Sequence, residues 1–182
     1  MQFDINRDLL LKSLNFVQGV VEKKNTLPIL SNVLINLKNN KLEIVATDLD
    51  IVFYDEISDL NVIEEGNTTT SANVLYDILR KIPAGTKINF TLKSENKLSL
   101  KSQNSDFNLL CLPTSNFPTF DDKFEIEKIE IEKKKFLSLL NKTKISISND
   151  DTRHYLNGVY LHATESNKNT FLTGVATDSH RL

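Results

Sequence analysis

The chain has 182 residues, 40% of them hydrophobic and 25% charged, with a formal net charge of −2 at pH 7. That is the balance of an ordinary folded protein of one or two domains. It excludes a globally basic nucleic-acid binder, so any contact with a polyanion has to come from a local patch.

One cysteine, Cys111, excludes an internal disulfide framework. No apolar run approaches the ~20 residues that a membrane-spanning helix needs. The opening residues, Met-Gln-Phe-Asp-Ile-Asn-Arg-Asp, carry neither a basic leader nor an apolar run of signal length. The expected location is therefore cytoplasmic, with no membrane association.

Residues 2–5 read as a short strand. Asn6 is a good N-cap, and Asp8 in the first turn suits the helix dipole. The helix should run to about residue 20, with Leu10, Leu14, Val17 and Val21 as its apolar stripe. Arg7, Lys12 and Asn15 fall off that stripe. Residues 22–28 form a loop holding Lys23 and Lys24, and Pro28 acts as a helix stop.

Strands are expected over 29–37 and 42–47, joined by the turn Lys38-Asn39-Asn40-Lys41. A third strand spans 49–57, a loop 59–66 and a threonine-rich strand 67–70. Ser71 caps a second helix over 72–81. Val74, Leu75, Ile78 and Leu79 face inward from it, and Asn73, Asp77, Arg80 and Lys81 outward. Three more strands follow at 87–93, 97–102 and 106–112. Phe107, Leu109 and Cys111 alternate in the last of these, so Cys111 reads as a small buried hydrophobe. Residues 113–122 read as a linker.

The chain then begins again. A strand over 126–131 and a helix over 133–146 lead to Arg153-His154-Tyr155-Leu156-Asn157-Gly158-Val159-Tyr160-Leu161-His162. Two apolar runs flank the polar stretch 164–169, the pattern of a hairpin. Leu30-Ser31-Asn32-Val33-Leu34-Ile35 resembles Leu156-Asn157-Gly158-Val159-Tyr160-Leu161, and Val45-Ala46-Thr47-Asp48 matches Val175-Ala176-Thr177-Asp178. Phe3, Ile5, Leu10 and Leu14 answer Ile129, Ile131, Phe136 and Leu140. Phe3 and Ile129 lie 126 residues apart, as do Leu30 and Leu156. The offset becomes 130 between Thr47 and Thr177, which assigns four extra residues to a longer second turn.

Such spacing is a repeat of structural units. The expected fold class is α+β, with repeated domains of two helices packed on antiparallel sheets. The first copy, 1–122, is complete. The second, 123–182, is incomplete, so that Leu182 is not a natural domain end.

Asp178-Ser179-His180 invites a catalytic reading. Neighbours on an extended chain point to opposite faces, however, and there is no glycine-framed nucleophile elbow. His154, His162 and His180 lack zinc-ligand spacing, and no phosphate-cradling loop is present. No catalytic residue, metal or cofactor is expected. The cations Arg7, Lys12, Lys23, Lys24, Arg80 and Lys81 make a stripe if the two helices lie side by side. That stripe is either a solvated face or a contact for nucleic acid.

The chain resembles the bacterial DNA polymerase III β subunit family, the sliding clamps. The resemblance rests on Lys24-Asn25-Thr26-Leu27-Pro28-Ile29-Leu30-Ser31-Asn32, Ala46-Thr47-Asp48-Leu49, Phe117-Pro118, Arg153-His154-Tyr155-Leu156-Asn157-Gly158 and Ala176-Thr177-Asp178-Ser179-His180-Arg181-Leu182. It implies the DNA-clamp fold: three copies of one domain per subunit, closed by a head-to-tail homodimer into a ring with helices lining the hole. It implies a non-enzymatic processivity factor that encircles duplex DNA without regard to sequence. It also implies partners: DNA polymerase III, clamp-loader subunits and other proteins carrying a clamp-binding peptide.

Carried over by position, DNA contacts fall at Lys24, Asn73, Asp150, His154 and Tyr155, beside Arg7, Lys12 and Arg80 of the cationic stripe. Asn73 brings amide hydrogen bonds without charge, and Asp150 is an anion that repels phosphate. The second domain's wall of the partner-peptide pocket falls at Tyr155, Leu156, Thr177, Ser179, His180, Arg181 and Leu182. The dimer edge falls on the strand carrying Phe107 and Leu109. A fragment of this length is not expected to close a ring.

Overall fold

In the computed structural model, which describes residues 1–21, 27–103, 105–119, 130–166 and 169–182, Asn6 ends strand β1 (Gln2–Asn6) and starts helix α1 (Arg7–Val17). Its side chain accepts a hydrogen bond from the Asp8 amide. Leu10, Leu14, Val17 and Val21 are buried, as the stripe requires. The helix stops three residues earlier than its apolar period suggests. Gly19 and Val20 bond back to the carbonyls of Phe16 and Val17, the tighter i→i−3 turn common at helix ends.

The chain divides into two compact units, Met1–Asp121 and Asp122–Leu182. In the first, the remaining strands are β2 (Asn32–Lys38), β3 (Lys41–Thr47), β4 (Val52–Ile57), β5 (Leu60–Glu64), β6 (Gly66–Ser71), β7 (Lys87–Ser94), β8 (Lys97–Ser102) and β9 (Ser105–Leu112). They pair antiparallel in the order β4-β3-β2-β6-β9-β8-β7-β1-β5. Helix α2 (Ala72–Lys81) is capped by Ser71, whose side chain accepts from the Val74 amide.

Both helices pack on the sheet through one core. Leu10, Leu14, Leu75 and Leu79 meet Val33, Ile35 and Ile44 on one side and Phe3, Ile5, Ile88 and Leu100 on the other. Phe3 and Phe90 are directly paired across β1 and β7, and their rings stack with centroids 4.9 Å apart. Cys111 is buried, and burial pushes its thiol pKa up.

Several boundaries differ from the sequence reading. Residues 59–66 are not all loop, because β5 pairs with β1. It is an edge strand with one wet face, so its apolar signal is diluted. Residues 28–31 form a 3₁₀ turn with Pro28 in its first turn, and β2 starts only at Asn32. The third strand starts at Val52, since Asp48–Ile51 makes a turn. On α2, Val74 is 48% exposed and Ala72 takes its inward place. The presumed linker carries a 3₁₀ turn at Thr114–Asn116 and a buried Phe117.

In the second unit, helix α3 (Lys133–Thr143) is followed by 3₁₀ turns at Lys144–Ser146 and Asp151–Leu156. Strands β10 (Tyr160–Ser166) and β11 (Asn169–Val175) then pair antiparallel. Residues 126–129 of the expected opening strand lie outside the described residues, and Ile131 is not in a strand.

The repeat holds in detail. α1 and α3 begin and end at positions 126 apart. Leu30 and Leu156, both read as strand residues, both sit in 3₁₀ turns. Leu34 pairs with Val45, and Tyr160 with Val175, in the same register. The extra residues do not enlarge the turn. The first hairpin pairs out to Lys38 with Lys41 and the second to Ser166 with Asn169, so each arm of the second gains two residues. An even increment keeps every side chain on its face of the sheet.

The two units also exchange volume. A β-carbon placed on Gly174 would lie 3.2 Å from the Leu139 side chain. The corresponding positions of the first unit hold Ser13 and Ile44, both buried. Gly174→Val should therefore lower stability by about 1–3 kcal/mol through overpacking, and Leu139→Ala in the same chain should recover part of that loss. Denaturant titration of the single and double variants checks this. Fully additive losses would show that the contact does not limit packing.

Candidate nucleic-acid and partner interface

α1 and α2 do lie side by side, tied by a hydrogen bond from the Tyr76 hydroxyl to Asn15 Oδ1 at 2.9 Å. The cations they carry are not equivalent. Arg7 is not on the wet face. Its Nε donates to the Leu79 carbonyl at 2.7 Å and its Nη2 to the Arg80 carbonyl at 3.2 Å, which satisfies the last carbonyls of α2. Its Nη1 pairs with Asp8 at 2.8 Å, and the side chain is only 13% exposed. Arg7 is thus a helix-to-helix strut.

Lys12, Arg80 and Lys81 are exposed, with the Arg80 guanidinium 5.5 Å from the Tyr76 ring centre. Lys12 borders a groove of about 590 Å³ whose rim holds Asp55, Glu56 and Asp59. Asn73 is partly exposed in the first turn of α2. Lys23 and Lys24 lie outside the described residues.

The sequence reading missed a cationic face on α3. Lys133, Lys134, Lys135 and Lys142 are all exposed there. The signal was present, since Lys133 occupies the position of Arg7 in the repeat and three lysines run together.

The expected dimer edge falls on β9. β9 pairs with β8 from Ser105 to Leu110 and with β6 only through Cys111 and Leu112, so most of its other edge has no strand partner among the described residues. Leu109, however, is 6% exposed and belongs to the core, with Phe107 half-buried against it. Asp106, Asn108 and Leu110 alternate with them as exposed side chains of β9, Leu110 at 84%.

The remaining site residues all belong to the second unit. Val175-Ala176-Thr177-Asp178 ends β11 in a turn built by side chains. Thr177 Oγ1 accepts from the Ser179 amide at 3.1 Å and donates to the Arg181 carbonyl at 2.7 Å. Asp178 Oδ1 accepts from the amides of His180 and Arg181 at 2.9 and 3.0 Å, while Oδ2 receives Arg181 Nε at 2.8 Å. Thr47 and Asp48 make the same backbone bonds with Leu49, Asp50 and Ile51. Leu49 and Ser179 share a left-handed φ, at 85° and 76°.

Asp150 is likewise occupied. It caps the 3₁₀ turn by accepting from the amide and hydroxyl of Thr152 at 2.9 and 2.6 Å, and it receives Arg153 Nε at 2.9 Å. Arg153 Nη1 reaches on to Ser179 Oγ at 3.0 Å. That bond engages the hydroxyl that a catalytic role for Ser179 would require as nucleophile. His154 and Tyr155 are exposed, their rings edge-to-face with centroids 6.0 Å apart. Leu156 is half-buried, and His180, Arg181 and Leu182 are exposed. Among the described residues there is no cluster of His, Cys, Asp and Glu able to hold a metal, and no helix long and apolar enough to cross a membrane.

Two α+β units with the same helix, hairpin register and side-chain turn define a tandem-repeat protein of the DNA-clamp type, and comparison with known proteins agrees. The model of the DNA polymerase III beta subunit N-terminal domain matches residues 1–121, and that of its central domain matches residues 130–182. The chain belongs to the DNA polymerase III beta subunit family. It is 39% identical to the beta sliding clamp of Caulobacter vibrioides and 37% identical to that of Pseudomonas putida, over all of this chain and 49% and 48% of those proteins. A crystal structure of the Caulobacter crescentus beta sliding clamp superposes with a TM-score of 0.93 at 38% identity, covering 99% of this chain and 48% of that one. The chain thus spans about half the length of the curated relatives it matches.

The hydrogen bonds to Asp178 and Asp150 hold both carboxyls well below the usual 3.8, at about 2. For Asp178 the His180 amide contributes most, and for Asp150 the Thr152 hydroxyl. A carboxyl depressed by folding stabilises the fold fully above its ordinary pKa and loses that contribution as pH falls through the folded value. The two turns should therefore stay intact to about pH 4 and weaken between there and pH 2. Carboxyl-carbon NMR titration should give midpoints near 2 for both residues. Midpoints near 3.8 would show that the bonds do not persist in solution.

Proposed function

We propose that this chain is part of a DNA polymerase processivity factor, a ring-shaped sliding clamp that encircles duplex DNA and tethers the replicative polymerase. The observation that carries this reading is the repeat. A ring of like domains requires repetition down to hairpin register, whereas an active site does not. On this reading residues 1–122 are a complete first clamp domain and 123–182 the N-terminal part of a second. At full length the subunit forms a head-to-tail homodimer, with the open edge of β9 as the ring-closing strand of the first domain.

The chain acts without catalysis, in the cytoplasm. Its partners are DNA polymerase III, clamp-loader subunits and other proteins carrying a clamp-binding peptide. Tyr155, Leu156, Thr177, Ser179, His180, Arg181 and Leu182 form one wall of the peptide pocket. The relatives it matches are about twice as long, and ring closure is proposed for a subunit of that length.

DNA contact on this reading goes to phosphates, from Lys12, Lys24, Asn73, Arg80, His154 and Tyr155, with the α3 lysines added. Arg7 and Asp150 contribute through the protein contacts they already make. In a chain of full relative length, Lys24→Glu should weaken DNA binding regardless of base sequence, and the salt slope should fall by about one unit per lost phosphate contact. Arg7→Ala should instead cost stability, about 1.5–3 kcal/mol for hydrogen bonds to a charged group. Binding titrations over a salt series, with denaturation of the same variants, check both. A sequence-dependent loss for Lys24→Glu would count against the clamp reading.

The Bartonella birtlesii sliding clamp has been crystallised bound to griselimycin, and we propose that the same compound occupies the peptide pocket of this protein. Burying one leucine-sized anchor contributes roughly 1.5–3 kcal/mol, and half a pocket forfeits about half of that for each anchor. The 182-residue chain should bind griselimycin at least about tenfold more weakly than a chain extended to the length of its relatives. Calorimetry on both decides, and equal affinity would show that one wall suffices.

A further inference from the structure

The second unit contains a tie that the first cannot form. By the repeat, Arg153 stands where the first unit has Leu27, and Ser179 stands where it has Leu49. Both leucines are about half exposed, at 50% and 54%. In the second unit, Asp150 holds Arg153 by its Nε at 2.9 Å, and Arg153 Nη1 donates to Ser179 Oγ at 3.0 Å. Three side chains thus join the 3₁₀ turn bearing Tyr155 and Leu156 to the turn bearing Thr177, His180, Arg181 and Leu182.

The fold does not need this tie. The first unit builds the same turn, with the same four side-chain-to-backbone bonds and a left-handed residue at the same place, around aliphatic side chains. Global stability does not account for it either. The Arg153–Asp150 pair is 38% exposed on both sides, a setting in which an ion pair contributes little. Ser179 sharpens the point. At φ 76° glycine would be the unstrained residue, yet glycine would lack the hydroxyl that receives Arg153.

We infer that Arg153 is a positioning residue for partner docking. Clamped by Asp150 and hydrogen-bonded to Ser179, it fixes the two turns relative to one another, so that the apolar wall around Leu156 and Leu182 is preformed. Asp150 serves by holding Arg153, not by meeting DNA. A preformed wall spares an incoming peptide the cost of ordering it. Arginine suits the task because its planar fork spans two acceptors, which a lysine ammonium on a flexible stem does not. The inference rests on the proposal that these turns form the partner-facing wall.

The test titrates griselimycin onto the protein at the full length of its relatives. Arg153→Leu, which copies the first unit, and Ser179→Gly, which removes the hydroxyl while relaxing the backbone, should each weaken binding about five- to tenfold. The double variant should be no weaker than either single one, since both break one tie. Arg153→Lys should behave like Arg153→Leu although it keeps the charge. The melting temperature of Ser179→Gly should not fall below the parent value, which separates lost positioning from a damaged fold. Unchanged griselimycin affinity in Ser179→Gly, losses that add in the double variant, or full rescue by lysine would overturn the inference while leaving the pocket standing. Failure of the parent protein to bind griselimycin would remove the pocket reading, and this inference with it.

Discussion

A strand that leaves its sheet uncovers backbone amides that still need partners. In both units one threonine and one aspartate meet that demand. The sequence Val-Ala-Thr-Asp carries the end of a strand, then a hydroxyl that accepts one amide and donates to a carbonyl, then a carboxylate that accepts two more. Much else depends on this turn. In the first unit it sets where β4 begins and therefore which residues of that strand face α1. In the second it holds His180 and Arg181 by their amides, which places their side chains on the surface.

The repeat was legible because it rests on local chemistry. Apolar period, cap residues and the Thr–Asp pair are all written within a few positions of where they act, and their common offset survives unequal hairpins. Two kinds of element were not legible. Edge strand β5 has one wet face, so its period-two signal is half erased. The 3₁₀ turns at Leu30 and Leu156 read as strand because both segments are apolar and run straight into one. Nothing in Leu-Ser-Asn or Leu-Asn-Gly marks the step from turn to ladder, which is settled by pairing with a distant strand.

Charge was the least legible property, because a cation's role depends on neighbours far away in sequence. Arg7 looks like a free charge at a helix start. It lies instead against the carbonyl end of α2, some seventy positions on, where the helix dipole and two unpaired carbonyls hold it. Asp150 looked out of place beside phosphate, and it is consumed by its own turn. With a net charge of −2, the cations left free decide where a polyanion can rest. On the described helices those are Lys133, Lys134 and Lys142 of α3, with Lys12, Arg80 and Lys81, since Lys135 pairs with Glu132, and not the set that helix periodicity alone selects.

The two units separate what a fold needs from what a site needs. Backbone path, register and turn bonds are held in common, while the side chains displayed on that frame differ: Leu27 against Arg153, Leu49 against Ser179, Asp50 against His180, Ile51 against Arg181. None of these four pairs contributes to the shared core. A repeat fold therefore leaves such positions open to change in one copy without loss in the other. This explains why Ser179 and His180 stand side by side with no catalytic geometry between them. Each is set by the turn beneath it: the Ser179 amide is held by the Thr177 hydroxyl and its side chain by Arg153, while the His180 amide is held by the Asp178 carboxylate and its side chain faces solvent.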